Sequence, residues 1–430
     1  MQKLIIKGGI PLTGKIKPVA NKNSILKLIP ASVLIQGQVT LKNVPHSSSV
    51  KVMLDIFKDL GGQVQYLENN VVKLDSTNLN KFSIDDELAS KERAGLMFLG
   101  PLVSRFHKAE IRDSGGCKLG VRPLDAMFKG LQGLGVKIEG TKKYSLSTEK
   151  LVGQKVWMIE ASVTGTENLI LAAVKAVGET EIYNAACEPH TQDLCNFLVA
   201  CGAKIAGIGS NKLMIHGVEE LIAPENFEWS IISDHMDIGG LIIAAAITGG
   251  EIEITDAIPE HMIGILQYFE KINLKYEIIG NSIKIPKNQE LICKPNFKGD
   301  MDKIPDQVWP GFPVDLIPPA IVLACSAAGN IRIHSIMYET QLFFIEELMK
   351  MNGKVHLSNP HTVVTLGPSQ FRGANINCPE IIQAAHALVL AALAATGETT
   401  LNRIESLMRR YPDLVSSLKS LGADIQIVDQ

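Results

Sequence analysis

Four short stretches of the chain hold residue types that could do chemistry. The first, "GGCKLGVRPLD" at 115–125, places Cys117 directly after two glycines and five residues before Arg122. Glycines let backbone amides approach a ligand closely. Arg122 offers a planar fork for phosphate or carboxylate. A cation or anion site beside a thiol tunes its reactivity, and a thiol serves as acid or nucleophile. Asp125 could accept a hydrogen bond from a base or a sugar. The second stretch, "NKNS" at 21–24, sets Lys22 at the start of an apolar helix with Asn23 and Ser24 as candidate caps. A lysine there adds charge to amides already aimed at an anion; the alternative is a solvated turn lysine. In the third, "WPGFPVDLIP" at 309–318, prolines and a glycine fix the backbone before Asp315. Asp315 is then either a general base on a rigid turn or a helix N-cap. The fourth, "MRRYPDL" at 408–414, carries Arg409 and Arg410, a solvated pair or one anion ligand plus one surface charge. Arg93, at the start of another apolar run, is a similar case.

The elements that must position these residues repeat. An apolar helix rich in small residues, then a β-rich run, begins near residues 24, 94, 167, 238, 318 and 384. Such a helix is apolar all round and is expected to be buried on every side. Each is followed by an amphipathic helix, a stop residue and a strand. The stops are Gly61, Gly135, Gly202, Asn273, Asn352 and Gly422. All six are types that tolerate the left-handed conformation ending a helix. They lie about 70 residues apart, from 67 between Gly135 and Gly202 to 79 between Asn273 and Asn352. That is longer than the usual solenoid or propeller repeat. Six units in 430 residues predict two domains of three units, with the buried helices bundled and the sheets outside.

Composition narrows the function classes. At 46% hydrophobic and 20% charged the chain is globular. A net charge of −3 gives no reason to expect a nucleic-acid binder. Seven cysteines without a CxxC pair point away from a disulfide framework or a zinc site and toward reduced, mostly buried thiols. The opening "MQKLIIKGGIPLTG" reads as neither signal peptide nor anchor, and no apolar run is long enough to span a bilayer. A cytoplasmic, monomeric protein without cofactor or metal is expected.

The six-unit pattern resembles the enolpyruvyl transferase family, with its EPSP synthase-like α/β fold. The four motifs resemble those of the branch whose acceptor is UDP-N-acetylglucosamine. "GGCKLGVRPLD", "GFPVDL", "NKNS" and "SVTGTENLILAA" from 162 carry the likeness, which covers nearly the whole chain. The resemblance implies two inside-out α/β barrel domains of three repeated units each. One would comprise residues 1–21 plus 234–430, the other 22–233, with the active site in the cleft between them. It implies transfer of the enolpyruvyl group of phosphoenolpyruvate to the sugar 3-hydroxyl with release of phosphate, the first committed step of peptidoglycan precursor synthesis. In that reading Lys22, Arg122 and Arg409 hold the phosphate and carboxylate of phosphoenolpyruvate. Cys117 is the proton donor, open to alkylation by fosfomycin. Asn23 and Asp315 contact the amino-sugar, with Asp315 the base. Arg93, Arg122, Pro123, Leu124, Asp125, Ala126, Ser162 and Val163 hold the UDP portion. Met337 lines the sugar pocket and Glu188 supports the cleft.

Five positions depart from the family pattern. Gln341 and Gln383 stand where arginines are usual, and His235 follows "SD" in place of another. Met127 replaces a histidine and Glu160 a basic residue. Loss of one charge-assisted contact costs on the order of 1.5–3 kcal/mol. Three further readings therefore stay open: a relative acting on another nucleotide or sugar, the shikimate-pathway sister enzyme, and a nucleotide-sugar-binding relative without catalysis. The Cys117 loop argues against the shikimate sister.

Overall fold

The small-residue apolar runs form helices in the computed structural model, which describes residues 2–113, 123–338 and 340–429. They are Lys22–Ala31, Leu99–Phe106, Val163–Ala173, His235–Thr248, Ile317–Ser326 and Ile382–Ala394. Residues 165–173, 317–325 and 384–393 are buried without interruption, as helices apolar on all sides must be. The second run is shorter than its apolar pattern predicts. Arg93–Phe98 is 3-10 helix, and the α-helix starts at Leu99. Pro101 cannot donate to the carbonyl of Met97, so the α-helical ladder has no bond there to continue upstream.

The amphipathic helices are Ser48–Asp59, Asp125–Gly133, Pro189–Ala200, Ile263–Glu270, Ile345–Lys350 and Leu414–Ser420. All six stop residues have positive φ, from 62° at Asn273 to 102° at Gly61 and Gly202. The left-handed turn predicted from residue type is thus present in every repeat.

The sheets share one pattern. An edge strand runs parallel to a central strand, which pairs antiparallel with a third, which pairs antiparallel with a fourth. Lys155–Trp157, Glu179–Tyr183, Lys212–His216 and Lys204–Ala206 form one such sheet. Lys303–Pro305, Gly329–His334, Thr362–Gly367 and Val355–Asn359 form another. In the Lys108–Arg112 sheet a single parallel bridge, Ser83 to Glu110, replaces the edge strand. The N-terminus is stitched into the C-terminal half. Gln2–Lys7 pairs with Glu398–Asn402 and Asp424–Asp429, and Thr13–Ile16 pairs with Glu251–Ile254.

The chain therefore divides into two units, residues 2–19 with 233–429 and residues 20–113 with 123–232. Each is an inside-out α/β barrel with its own hydrophobic core around three buried helices. Glycine sets the spacing where those helices cross. A Cβ on Gly239 would lie 2.7 Å from a Leu316 methyl, and one on Gly240 would lie 2.4 Å from His386 Cε1. No helix among the described residues is long and apolar enough to cross a membrane.

Candidate active site

In the unit of residues 20–232, the Lys22–Ala31 helix is capped by Asn21, whose Oδ1 accepts from Ser24 N at 3.1 Å. The expectation that Asn23 and Ser24 are the caps is corrected by this geometry. Asn21 alone has the extended backbone a cap needs, and the next two residues already belong to the first turn with Lys22. Ser24 Oγ instead donates to Asp193, which also accepts from Trp229 Nε1 at 3.1 Å. Burial pushes the Asp193 carboxyl up to about 6.

One turn further along the same helix, Lys27 Nζ lies 2.7 Å from Glu167 Oε2, with side chains 9% and 0% exposed. Thr191 Oγ1 donates to Glu167 Oε1 at 3.1 Å. Burial pushes the Glu167 carboxyl up, and Lys27 pulls it back. Glu188, at the N-terminus of the Pro189–Ala200 helix, is pushed up to about 7 by burial first and by Glu167 second. Sequence reasoning missed Lys27, Glu167 and Asp193. The signal was a charged residue inside a helix otherwise apolar on every side. A buried charge needs a partner.

The two segments assigned to the nucleotide converge. Asp125 begins the Asp125–Gly133 helix and Val163 begins the Val163–Ala173 helix, capped by Ser162 Oγ accepting from Gly165 N at 3.3 Å. A Cβ on Gly165 would lie 3.2 Å from Met127 N, so the two first turns sit side by side. The first turn of a helix carries N–H groups without intrahelical partners and a positive dipole end, which favour an anion. Pro123 and Asp125 are exposed, Leu124, Ser162 and Val163 half-buried, and Ala126 buried. Met127 is 2% exposed and belongs to the core, while Glu160 is exposed. Arg93 is half-buried at the head of its 3-10 segment. Cys117 and Arg122 lie outside the described residues.

In the unit of residues 233–429, Asp315 occupies a three-residue 3-10 turn, Val314–Leu316, before the Ile317–Ser326 helix. It is not an N-cap: Leu316 holds that position and caps through no side chain. Gln383 Nε2 donates to Asp315 Oδ1 at 2.8 Å. Gln341 is fully buried, and its Nε2 donates to Val314 O at 3.1 Å. Both stand where the family pattern has arginines, and each bonds the Asp315 turn. Nearby, Asp306 accepts from Ser335 Oγ, Ile336 N and Met337 N at 3.0–3.1 Å. It thereby fixes the loop that presents Met337, which is 46% exposed. Asp306 has no sequence signal beyond its place at a strand end.

The two arginines of "MRRYPDL" separate. Arg409 is exposed, whereas Arg410 is half-buried, its side chain 11% exposed, with Nη2 2.7 Å from Asp234 Oδ2. Asp234 caps the His235–Thr248 helix through Met236 N. The neighbouring His235 and His386 are pushed down to about 4 by burial and are neutral at pH 7. Burial, then Asp234, pushes Asp237 up to about 7. The six described cysteines are all buried, and burial raises every one of their thiols. None has the setting of a reactive thiol.

The comparisons with known proteins agree with this architecture. The family model described as EPSP synthase (3-phosphoshikimate 1-carboxyvinyltransferase) matches residues 6–418. A UDP-N-acetylglucosamine 1-carboxyvinyltransferase of Treponema denticola is 39% identical over 430 residues, spanning 100% of both chains. One from Borreliella burgdorferi is 40% identical over 429 residues, covering 100% of this chain and 99% of its own. Among solved structures, the enolpyruvyl transferase NikO from Streptomyces tendae superposes with a TM-score of 0.87 at 21% identity, covering 99% of each chain. EPSP synthase from Acinetobacter baumannii gives 0.78 at 17% identity over 100% of each. At those identities the structures speak for the fold alone, and the full-length sequence matches carry the rest. The chain belongs to the EPSP synthase family, and within it to the UDP-N-acetylglucosamine 1-carboxyvinyltransferases.

Proposed function

We propose that this protein transfers the enolpyruvyl group of phosphoenolpyruvate to the 3-hydroxyl of UDP-N-acetylglucosamine and releases phosphate, as a monomer in the cytoplasm. The observation that carries the proposal is the end-to-end match to transferases named for that acceptor. The chemistry of the assigned residues suits it. The enol carbon C3 must be protonated before C2 becomes electrophilic, and Cys117 is the acid assigned to that step. Asp315 takes the hydroxyl proton as oxygen attacks C2. Loss of a proton from C3 then expels phosphate and restores the double bond. Lys22 at a helix N-terminus, Arg122 and the exposed Arg409 hold the phosphate and carboxylate. Asn23 contacts the sugar with Asp315, Met337 lines its pocket, and Glu188 supports the site. The adjacent first turns at Asp125 and Ser162–Val163, with Arg93, Pro123, Leu124 and Ala126, take the UDP portion.

The test is phosphate release with both substrates, with either omitted, and with Cys117→Ala. Release that needs both substrates and falls in the variant supports the reading. Release with phosphoenolpyruvate and a different nucleotide sugar, but not this one, would reassign the acceptor.

A further inference from the structure

Gln341 and Gln383 are far apart in sequence and lie on different elements, yet both end on the same three-residue turn. Gln383 comes from the first turn of the Ile382–Ala394 helix and bonds the Asp315 carboxylate at 2.8 Å. Gln341 comes from the segment before the Ile345–Lys350 helix and bonds the Val314 carbonyl at 3.1 Å. One amide fixes the backbone of the turn and the other fixes the side chain. Neither carries charge. We propose that Gln383, supported by Gln341, is a positioning residue that orients Asp315 as the base while leaving its carboxylate more basic than a cation there would allow.

The inference rests on Asp315 being the base. The physical reason is the difference between an amide and a guanidinium. An opposite charge within hydrogen-bond distance lowers a carboxyl pKa by about 1–3 units, whereas a neutral donor gives direction with a smaller pull. Other titratable groups stand in the same cluster among the described residues. Arg410 acts on Asp315 from the C-terminal segment, but its guanidinium is engaged by Asp234 at 2.7 Å. Tyr411 lies beside it. Asp234, His235 and Asp237 stand at the head of the His235–Thr248 helix, and His386 on the Ile382–Ala394 helix. Gln383 is a neutral donor bonded directly to the carboxylate, so its substitution alters charge at the carboxylate itself.

The experiment compares the unaltered protein with Gln383→Arg and Gln383→Ala. Phosphate release is measured against pH, and the Asp315 carboxyl is followed by NMR with 13C-labelled aspartate, using Asp315→Asn to identify its resonance. In Gln383→Arg, the Asp315 titration and the acid limb of kcat are expected to move down by about 1–3 pH units. In Gln383→Ala, kcat is expected to fall about ten- to a hundredfold as orientation is lost, with KM for phosphoenolpyruvate within about twofold. An Asp315 titration that does not move in Gln383→Arg would overturn the proposal. So would a raised KM with unchanged kcat in Gln383→Ala, which would make Gln383 a substrate ligand. Absence of phosphate release from the unaltered protein would refute the catalytic reading, while the carboxyl titration would still decide the clamp.

Discussion

Replacing Lys27 by Met keeps the apolar stem and removes the ammonium 2.7 Å from the Glu167 carboxylate, leaving the Thr191 hydroxyl bond and His190 Nε2 at 3.9 Å. Glu167 is 0% exposed, so it will not remain a bare anion; it will fold protonated. The cost at a given pH is then that of binding a proton to a carboxyl whose ordinary value is 4.5. At about 1.4 kcal/mol per pH unit, this is roughly 4 kcal/mol at pH 7.5 and about 1.4 kcal/mol at pH 5.5. The upper figure agrees with the 3–5 kcal/mol typical of breaking a buried pair. The sign follows from the raised folded-state pKa of the variant: stability is retained below the ordinary value of 4.5 and lost as pH rises from there toward the raised folded-state value. Urea unfolding, followed by fluorescence of Trp157 and Trp229 in a Trp309→Phe background, reports on the unit that holds the pair. Equal destabilisation at both pH values would refute the reasoning and leave a packing defect as the cause. Lys27→Met with Glu167→Leu is expected to return to within about 1 kcal/mol of the unaltered protein.

Other outcomes follow from the site. Asp315→Asn should lower phosphate release by about 10²–10⁴-fold while UDP-N-acetylglucosamine binding, measured by calorimetry, stays within a few-fold. The two adjacent arginines should behave differently. Arg409→Ala should raise KM for phosphoenolpyruvate without loss of stability. Arg410→Ala leaves Asp234, which is 2% exposed, without its partner and should cost about 3–5 kcal/mol in urea unfolding. A small epoxide phosphonate such as fosfomycin should add one adduct by intact mass, absent in Cys117→Ala, because the other six thiols are buried.

Much of the fold was legible in the sequence because its signals are local. Six stop residues of the right type end six helices in the left-handed conformation, since Gly and Asn adopt it at little cost wherever they fall. Six runs of small apolar residues are largely buried helices because few side chains on their surface prefer water. The catalytic candidates were legible as motifs, but their environments were not. Asn21 and Asn23 are the same residue type two positions apart, and only backbone geometry made the first the cap. Arg409 and Arg410 are adjacent, and only the packing of the last repeat against the His235–Thr248 helix drew one onto Asp234 and left the other exposed. Gln341 and Gln383 read as two lost charges. That both grip the Asp315 turn depends on contacts 27 and 68 residues away along the chain, which no local pattern encodes. The same holds for Lys27 and Glu167. Sequence determines that a charge lies on a buried helix, and tertiary structure decides which distant residue neutralises it.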